Sequence, residues 1–306
     1  MTNKFAIIYT MASLKNISLK YHDNIFTEDL SADFGDGFCT VFGECGSGKT
    51  TLCHIFGGLV RIEQGEVYVE GKEIADKKPK NRDISLISEQ TPLRFKTVKE
   101  NLAYPLKLRK KYNKNKFCYN EQIIQYLDFN LFDKKIIDLN DVEKAEVLFA
   151  RAMIKNPKLI LIDEPYDILN EHGVNRLIDL AKKSKLNVIW FTDDFEQAKR
   201  INELTVILRK GKAIYCGTID DLLKRPTSSY TAALCGYNII DGKAVLPTDF
   251  FKGKEKISAS VKFIEKLDDG FYLHLKYKDL PIKVFSKIEM TGTIEVTYDV
   301  DNAIEL

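Results

Sequence analysis

The stretch Phe38–Leu59, FCTVFGECGSGKTTLCHIFGGL, decides the fold. It runs from an apolar strand through a glycine-rich loop into an apolar helix. Its centre, Gly43–Thr50, fits G-x-x-x-x-G-K-[ST] in the strand–loop–helix setting that pattern requires. The glycines let the backbone bend so that successive N–H groups converge on phosphate oxygens at a helix N-terminus. Within the loop, Gly43, Glu44, Cys45, Gly46, Ser47 and Gly48 offer backbone, Lys49 a mobile charge for β- and γ-phosphates, and Thr50 a hydroxyl for Mg²⁺. Thr51 completes the candidate set. The bound species implied is a nucleoside triphosphate with Mg²⁺.

Downstream, Leu159–Pro165 reads LILIDEP. An apolar strand ending in Asp163 brings a carboxylate to the metal, and Glu164 then faces the γ-phosphate, where it can polarise a water. Most acidic pairs merely end a strand; following a phosphate loop, this one reads as its catalytic companion.

Around these motifs strands alternate with helices, which implies a largely parallel, covered sheet. Residues 12–42 alternate in short runs broken by HDN and GDG, and GEVYVEGKEI reads as a hairpin. The region of about 92–150 turns helical and loses its glycines. After Gly236 the pattern becomes short alternating strands separated by turns, read as a small all-β, OB-like barrel over 240–306.

The 306 residues suffice for a larger and a smaller domain, and 44% hydrophobic with 29% charged residues marks ordinary globular chemistry. A net charge of +2 gives no argument for a polyanion partner. The basic run Lys107–Lys116 reads as an exposed face, and Phe271, Tyr272 and Tyr277 alternate with too many acids for a nucleic-acid platform. No run approaches a membrane span. Residues 1–11 resemble a signal peptide superficially but lack a cleavage site. They read as an extension of a cytoplasmic chain, with Met11 an alternative start. Six cysteines without a C-x-x-C pair read as free thiols, and four scattered histidines as structural.

Residues 12–236 resemble the ATP-binding subunit of an ABC transporter. Beyond the two motifs, ARAMIKNPKLILIDEP is similar to that family's approach to its acidic strand. The resemblance implies a P-loop NTPase fold of ABC type, with ATP and Mg²⁺ as cofactors. It places Tyr21 against adenine and Gln90 on the metal and the attacking water, sensing a membrane subunit; Glu89 is the rival for that role. GTIDDLLKRPTSSYTAALCGYN (Gly217–Asn238) is similar to the closing segment of sugar, polyamine, iron and anion importers, whose ATPase domain is followed by a small regulatory (TOBE) barrel. Permease subunits holding the chain on the inner face of the membrane are therefore implied partners.

The chain departs from the family at three places, two of which bear directly on ATP. Where an LSGGQ signature should grip a partner's γ-phosphate, it offers LNDVE, with Asn140, Asp141, Val142 and Glu143. Val142 adds bulk, and two carboxylates approach a triphosphate, whereas Asn140 with Glu143 makes a helix capping box. Where the family has THD, this chain has Asp193, an acceptor where a donor to phosphate is needed. The loop after the acidic strand also departs, ending in Asn170. One lesion affects the chain's own site and the other a partner's, so a heterodimer with an intact second ATPase subunit is favoured over a homodimer. ATP hydrolysis by the chain alone is expected to be weak. The second reading is a non-hydrolysing subunit that gates its partner through ATP occupancy.

Overall fold

Alternation sorts the strand residues onto two faces. In the computed structural model, which describes residues 10–21, 24–108, 126–165, 168–298 and 303–306, strands β3 (Phe38–Phe42), β7 (Leu159–Asp163) and β8 (Val188–Thr192) are buried along their whole length. Cys39, Val41, Leu159, Leu161, Ile189 and Phe191 pack with Leu52, Cys53, Ile55 and Phe56 of helix α1 (Lys49–Gly57). The alternate residues Phe38, Ile160, Ile162, Val188 and Trp190 pack on the other face against α3 (Asp141–Met153) and α4 (Glu171–Ser184). Burial on both faces is why these strands read as continuous apolar runs.

The sheet has six strands in the order β10-β9-β3-β8-β7-β6, where β6 is Ile84–Ile87, β9 is Leu204–Arg209 and β10 is Lys212–Gly217. All pairings are parallel except β9 with β10 at one edge. The C-terminal ends of β3, β6, β7 and β8 therefore share one edge, where open α/β sheets bind ligands.

A second sheet, four-stranded and antiparallel, has the order β2-β1-β4-β5. It joins β1 (Ala12–Tyr21), β2 (Asn24–Phe34) and the hairpin β4 (Gln64–Val69) with β5 (Lys72–Glu73). The expectation of a largely parallel sheet did not anticipate it, because β1 and β4 pair across more than forty residues. Helix α2 (Val98–Leu108) packs with Leu127, Leu131, Leu139 and Val147 in a separate apolar cluster, the described part of the helical region. Residues 1–9, and the basic run from residue 109 onward, lie outside the described residues.

The chain divides into two compact units, Met1–Gly217 and Thr218–Leu306. The division precedes the change of pattern at Gly236, because α6 (Ile219–Lys224) and α7 (Ser229–Leu234) fall in the second unit, where α7 packs on β11 (Asn238–Ile240). The rest of that unit is antiparallel and consistent with an OB-like domain. β11 pairs with β12 (Lys243–Val245) and β12 with β17 (Ile304–Glu305). Its other sheet has the order β15-β14-β13-β16 and comprises β13 (Phe250–Lys266), β14 (Phe271–Tyr277), β15 (Leu280–Ser286) and β16 (Thr293–Tyr298).

Among the described residues no helix is long and apolar enough to cross a membrane. α5 (Phe195–Ile201) completes the first unit.

Candidate functional site

The loop between β3 and α1 is closed by its own atoms. Ser47 N–H donates to the Glu44 carbonyl at 3.1 Å. A Cβ on Gly43 would lie 2.3 Å from the Leu208 carbonyl oxygen and 2.8 Å from Ser47 Oγ, so only glycine fits there. Gly48 precedes α1 at φ 107° and gives the helix no side-chain cap. The first-turn N–H groups are thus left to an external acceptor, the arrangement that binds phosphate. Glu44 and Cys45 are exposed, so their contribution is main chain. Ser47 Oγ is buried and has no hydrogen-bond partner among the described residues, a polar atom that a bound phosphate would satisfy. Thr51 lies half-buried on α1 behind it.

Lys49 is 3% exposed, and its Nζ donates to the carbonyls of Gly43 and Glu44, each at 3.1 Å. The same nitrogen meets Glu164 Oε1 at 3.1 Å. Thr50 Oγ1 donates to Asp163 Oδ1 at 3.5 Å. Four residues named from two motifs more than a hundred positions apart are therefore gathered at the C-terminal edge of the sheet. A hydroxyl and one carboxylate beside a phosphate cradle suit Mg²⁺, which keeps waters and takes its remaining ligands from substrate phosphates. Asp163 also lies near Cys53, whose thiol is pushed up first by burial and then by that carboxylate.

Glu164 sits at φ 40°, left-handed for a residue with a Cβ, and its N–H donates to the Phe191 carbonyl at 3.2 Å. Such a conformation costs about 1–2 kcal/mol. Here it turns the carboxylate from the strand line toward Lys49.

Gln90 follows β6 at the same edge and is exposed, as is Glu89. The turn that carries it is closed by Thr91, whose Oγ1 accepts from Ser88 N–H at 3.0 Å and donates to the Ser88 carbonyl at 3.1 Å. Asp193 follows β8, also exposed, while the next residue, Asp194, caps α5 by accepting from Gln197 N–H at 3.0 Å. Tyr21 ends β1 opposite Asn24, and the placement of its ring lies outside the described residues.

Asn140–Glu143 stand apart from this group, at the start of α3. The capping box is formed: Glu143 N–H donates to Asn140 Oδ1 at 2.9 Å, and Asn140 N–H to Glu143 Oε2 at 3.0 Å. Lys134 Nζ meets Glu143 at 2.8 Å and Lys144 Nζ meets Asp141 at 2.8 Å. Asn170 N–H also donates to Asp141 Oδ2, at 3.2 Å. These lysines, followed by the backbone N–H groups, hold both carboxyls below their ordinary values. Each negative charge thus carries a neutralising lysine within the chain, which reduces the repulsion expected from the sequence. The bulk of the partly exposed Val142 remains. Asn170, the last residue of the departing loop, caps α4 by accepting from Gly173 N–H at 3.1 Å.

Sequence reasoning assigned no role to Arg151. Its guanidinium donates to the carbonyl of Pro92 at 2.8 Å and to that of Thr91, in the Gln90 turn. A charged residue on an otherwise apolar helix flank, ARAM, was the available signal.

Residues 28–167 match the family model described as ABC transporter. The chain carries an ABC transporter ATP-binding domain. The chain is 28% identical over 286 residues to a molybdate/tungstate import ATP-binding protein of Methanocaldococcus jannaschii, covering 92% of this chain and 94% of that one. It is 28% identical to a spermidine/putrescine import ATP-binding protein of Desulfitobacterium hafniense (84% and 76% covered) and 29% identical to a trehalose import ATP-binding protein of Mycobacterium tuberculosis (73% and 59%). Among solved structures, a nucleotide-free ATP-binding cassette from an ABC transporter superposes with a TM-score of 0.61 at 21% identity, over 71% of this chain and 96% of that one. A dimeric cassette bound to ADP and Pi gives 0.56 at 24% identity, over 68% and 99%. These likenesses support the ABC cassette fold. ATP with Mg²⁺ is the cofactor pair of ABC transporter ATP-binding domains, and the Lys49–Thr50–Asp163 cluster has the chemistry for it.

Proposed function

We propose that this chain is the ATP- and Mg²⁺-binding, energy-coupling subunit of a membrane importer, and the less catalytic half of an ATPase heterodimer. The observation that carries the first part is the gathering of Lys49, Thr50, Asp163 and Glu164 around the phosphate loop. In that reading the first-turn N–H groups of α1 and Lys49 hold the β- and γ-phosphates. Thr50 and Asp163 hold Mg²⁺. Glu164 accepts a proton from the attacking water, with Gln90 positioning that water.

Import is supported by the relatives, three import ATP-binding proteins of different cargo. It is further supported by an exposed strip beside the Gln90 turn, where Phe95 stacks with Tyr104 at 5.0 Å and Leu108 is exposed. Such a strip suits an apolar loop of a permease. Cargo belongs to the permease. Docking there holds the chain on the inner membrane face.

The second part rests on Val142 and Asp193. Asp193 impairs the site on this chain's own loop, and Val142 the site on a partner's loop. A homodimer would carry both lesions in each site, whereas an intact partner leaves one per site. The test is ATP turnover of the purified chain against the complex recovered from its host. Weak turnover alone, and recovery with a second ATPase subunit bearing an intact signature, are expected. Turnover alone at the rate of the complex, abolished by Glu164→Gln, overturns the impaired reading; recovery only as a homodimer overturns the heterodimer.

A further inference from the structure

We infer that Arg151 is a positioning residue that joins the Gln90 turn to helix α3, so that displacement of Gln90 reaches the partner-facing Asn140–Glu143 end. The inference rests on the function proposed above and assigns that site its internal linkage.

The turn has few ways to move alone. Thr91 closes it on Ser88, and Arg94 Nη2 donates to the Gln90 carbonyl at 3.3 Å. Arg151 then takes the next two carbonyls, Thr91 and Pro92, with separate nitrogens. A planar guanidinium gripping two acceptors fixes orientation as well as distance, which a single ammonium does not. Burial, and then the Arg94 guanidinium, lower the affinity of Arg151 for its proton to a pKa of about 10.

From Arg151 the helix runs toward its first turn as a hydrogen-bonded rod, roughly 16 Å to Asn140 at 1.5 Å per residue. That end is held as firmly as the other. The capping box closes it, Asp141 accepts from Asn170 N–H, and Glu146 pairs with Arg176 of α4 at 2.6 Å. Two of the segments that depart from the family, Asn140–Glu143 and the loop ending at Asn170, thus hang on one rod whose other end grips the turn carrying Gln90, at Thr91 and Pro92. A different bond, Ser85 Oγ to the Ala152 carbonyl at 2.7 Å, ties the same helix to strand β6 without touching the turn. It supplies the control.

Hydrogen exchange of the full chain, with and without Mg²⁺ and a non-hydrolysable ATP analogue, tests the linkage. In the unsubstituted chain the analogue is expected to alter exchange both at 86–95 and at 140–148. Arg151→Lys is expected to keep analogue affinity within twofold and the response at 86–95, while the response at 140–148 falls at least threefold. Ser85→Ala is expected to keep both. Retention of both responses in Arg151→Lys overturns the linkage. So does an equal loss in Ser85→Ala, which would make Arg151 one packing contact among several. Coupling is reciprocal, so Asn140→Ala should raise exchange at 86–95, and its failure to do so overturns the linkage without any change at position 151. Failure of the unsubstituted chain to bind the analogue overturns the function itself; binding with no response at 140–148 overturns the linkage alone.

Discussion

Arg82 is 3% exposed and turns its guanidinium entirely to backbone. Nη1 donates to the carbonyls of Ile55 and Phe56, each at 2.6 Å, in the last turn of the phosphate-loop helix; Nε and Nη2 reach Lys77 at 2.9 Å and Ala75 at 2.7 Å. A cation at a helix C-terminus satisfies orphan carbonyls and the negative end of the helix dipole. Arg82→Met should therefore cost about 2–4 kcal/mol in denaturant unfolding, because it strands buried acceptors. At the other end of that helix, Gly43→Ala should cut nucleotide affinity at least tenfold in titration with a fluorescent ATP analogue, since the added carbon meets the Leu208 carbonyl. The glycine was legible in the sequence as part of a motif. Arg82 was not, because its contacts to the helix are made across more than twenty residues of intervening chain.

Helix α3 shows what a local pattern can and cannot carry. Its capping box was readable three residues apart, since both partners lie on one turn. The lysines that neutralise Asp141 and Glu143 were not singled out, and the Arg151 grip on residues 91 and 92 depends on tertiary packing. Two measurements follow. The folded-state carboxyls of Asp141 and Glu143 lie below their ordinary 3.8 and 4.5. Their contribution is accordingly complete above those values and fades as pH falls through the lowered ones. The gap in Tm between the chain and its Asp141→Asn/Glu143→Gln variant should be present at pH 6 and shrink progressively as pH falls through the lowered values. Restoring a signature, with Asn140→Ser, Asp141→Gly, Val142→Gly and Glu143→Gln together, should cost roughly 2 kcal/mol through two helical glycines. The same change should raise turnover at the partner's loop at least tenfold in the assembled complex.

Across the whole molecule, the parallel core was foreseeable because three of its strand ends coincide with a motif: Phe42 with the glycine loop, Asp163 with the acidic pair, Thr192 with Asp193. The antiparallel sheet of β1, β2, β4 and β5 carries no such marker. Nor does the membership of α6 and α7 in the second unit, where α7 packs on β11 and β12 and α6 packs on α7. Assembly is where the two departures meet. Mixing this chain with a second ATPase subunit should give one faster and one slower site, read as biphasic single-turnover kinetics. A single phase would count against the asymmetric dimer.

The contact between Lys49 and Glu164 has one more consequence. In the function proposed above, a carboxylate already stands where an incoming phosphate would make its charge contact, so loading this site would swap one anion for another. The affinity measured for ATP is then a difference, with the internal ligand acting as a competitor at fixed concentration. Glu164→Gln removes the competitor's charge and should tighten ATP binding several-fold in equilibrium titration even as hydrolysis is lost. The displaced carboxylate is thereby released, at the moment of loading, to face water.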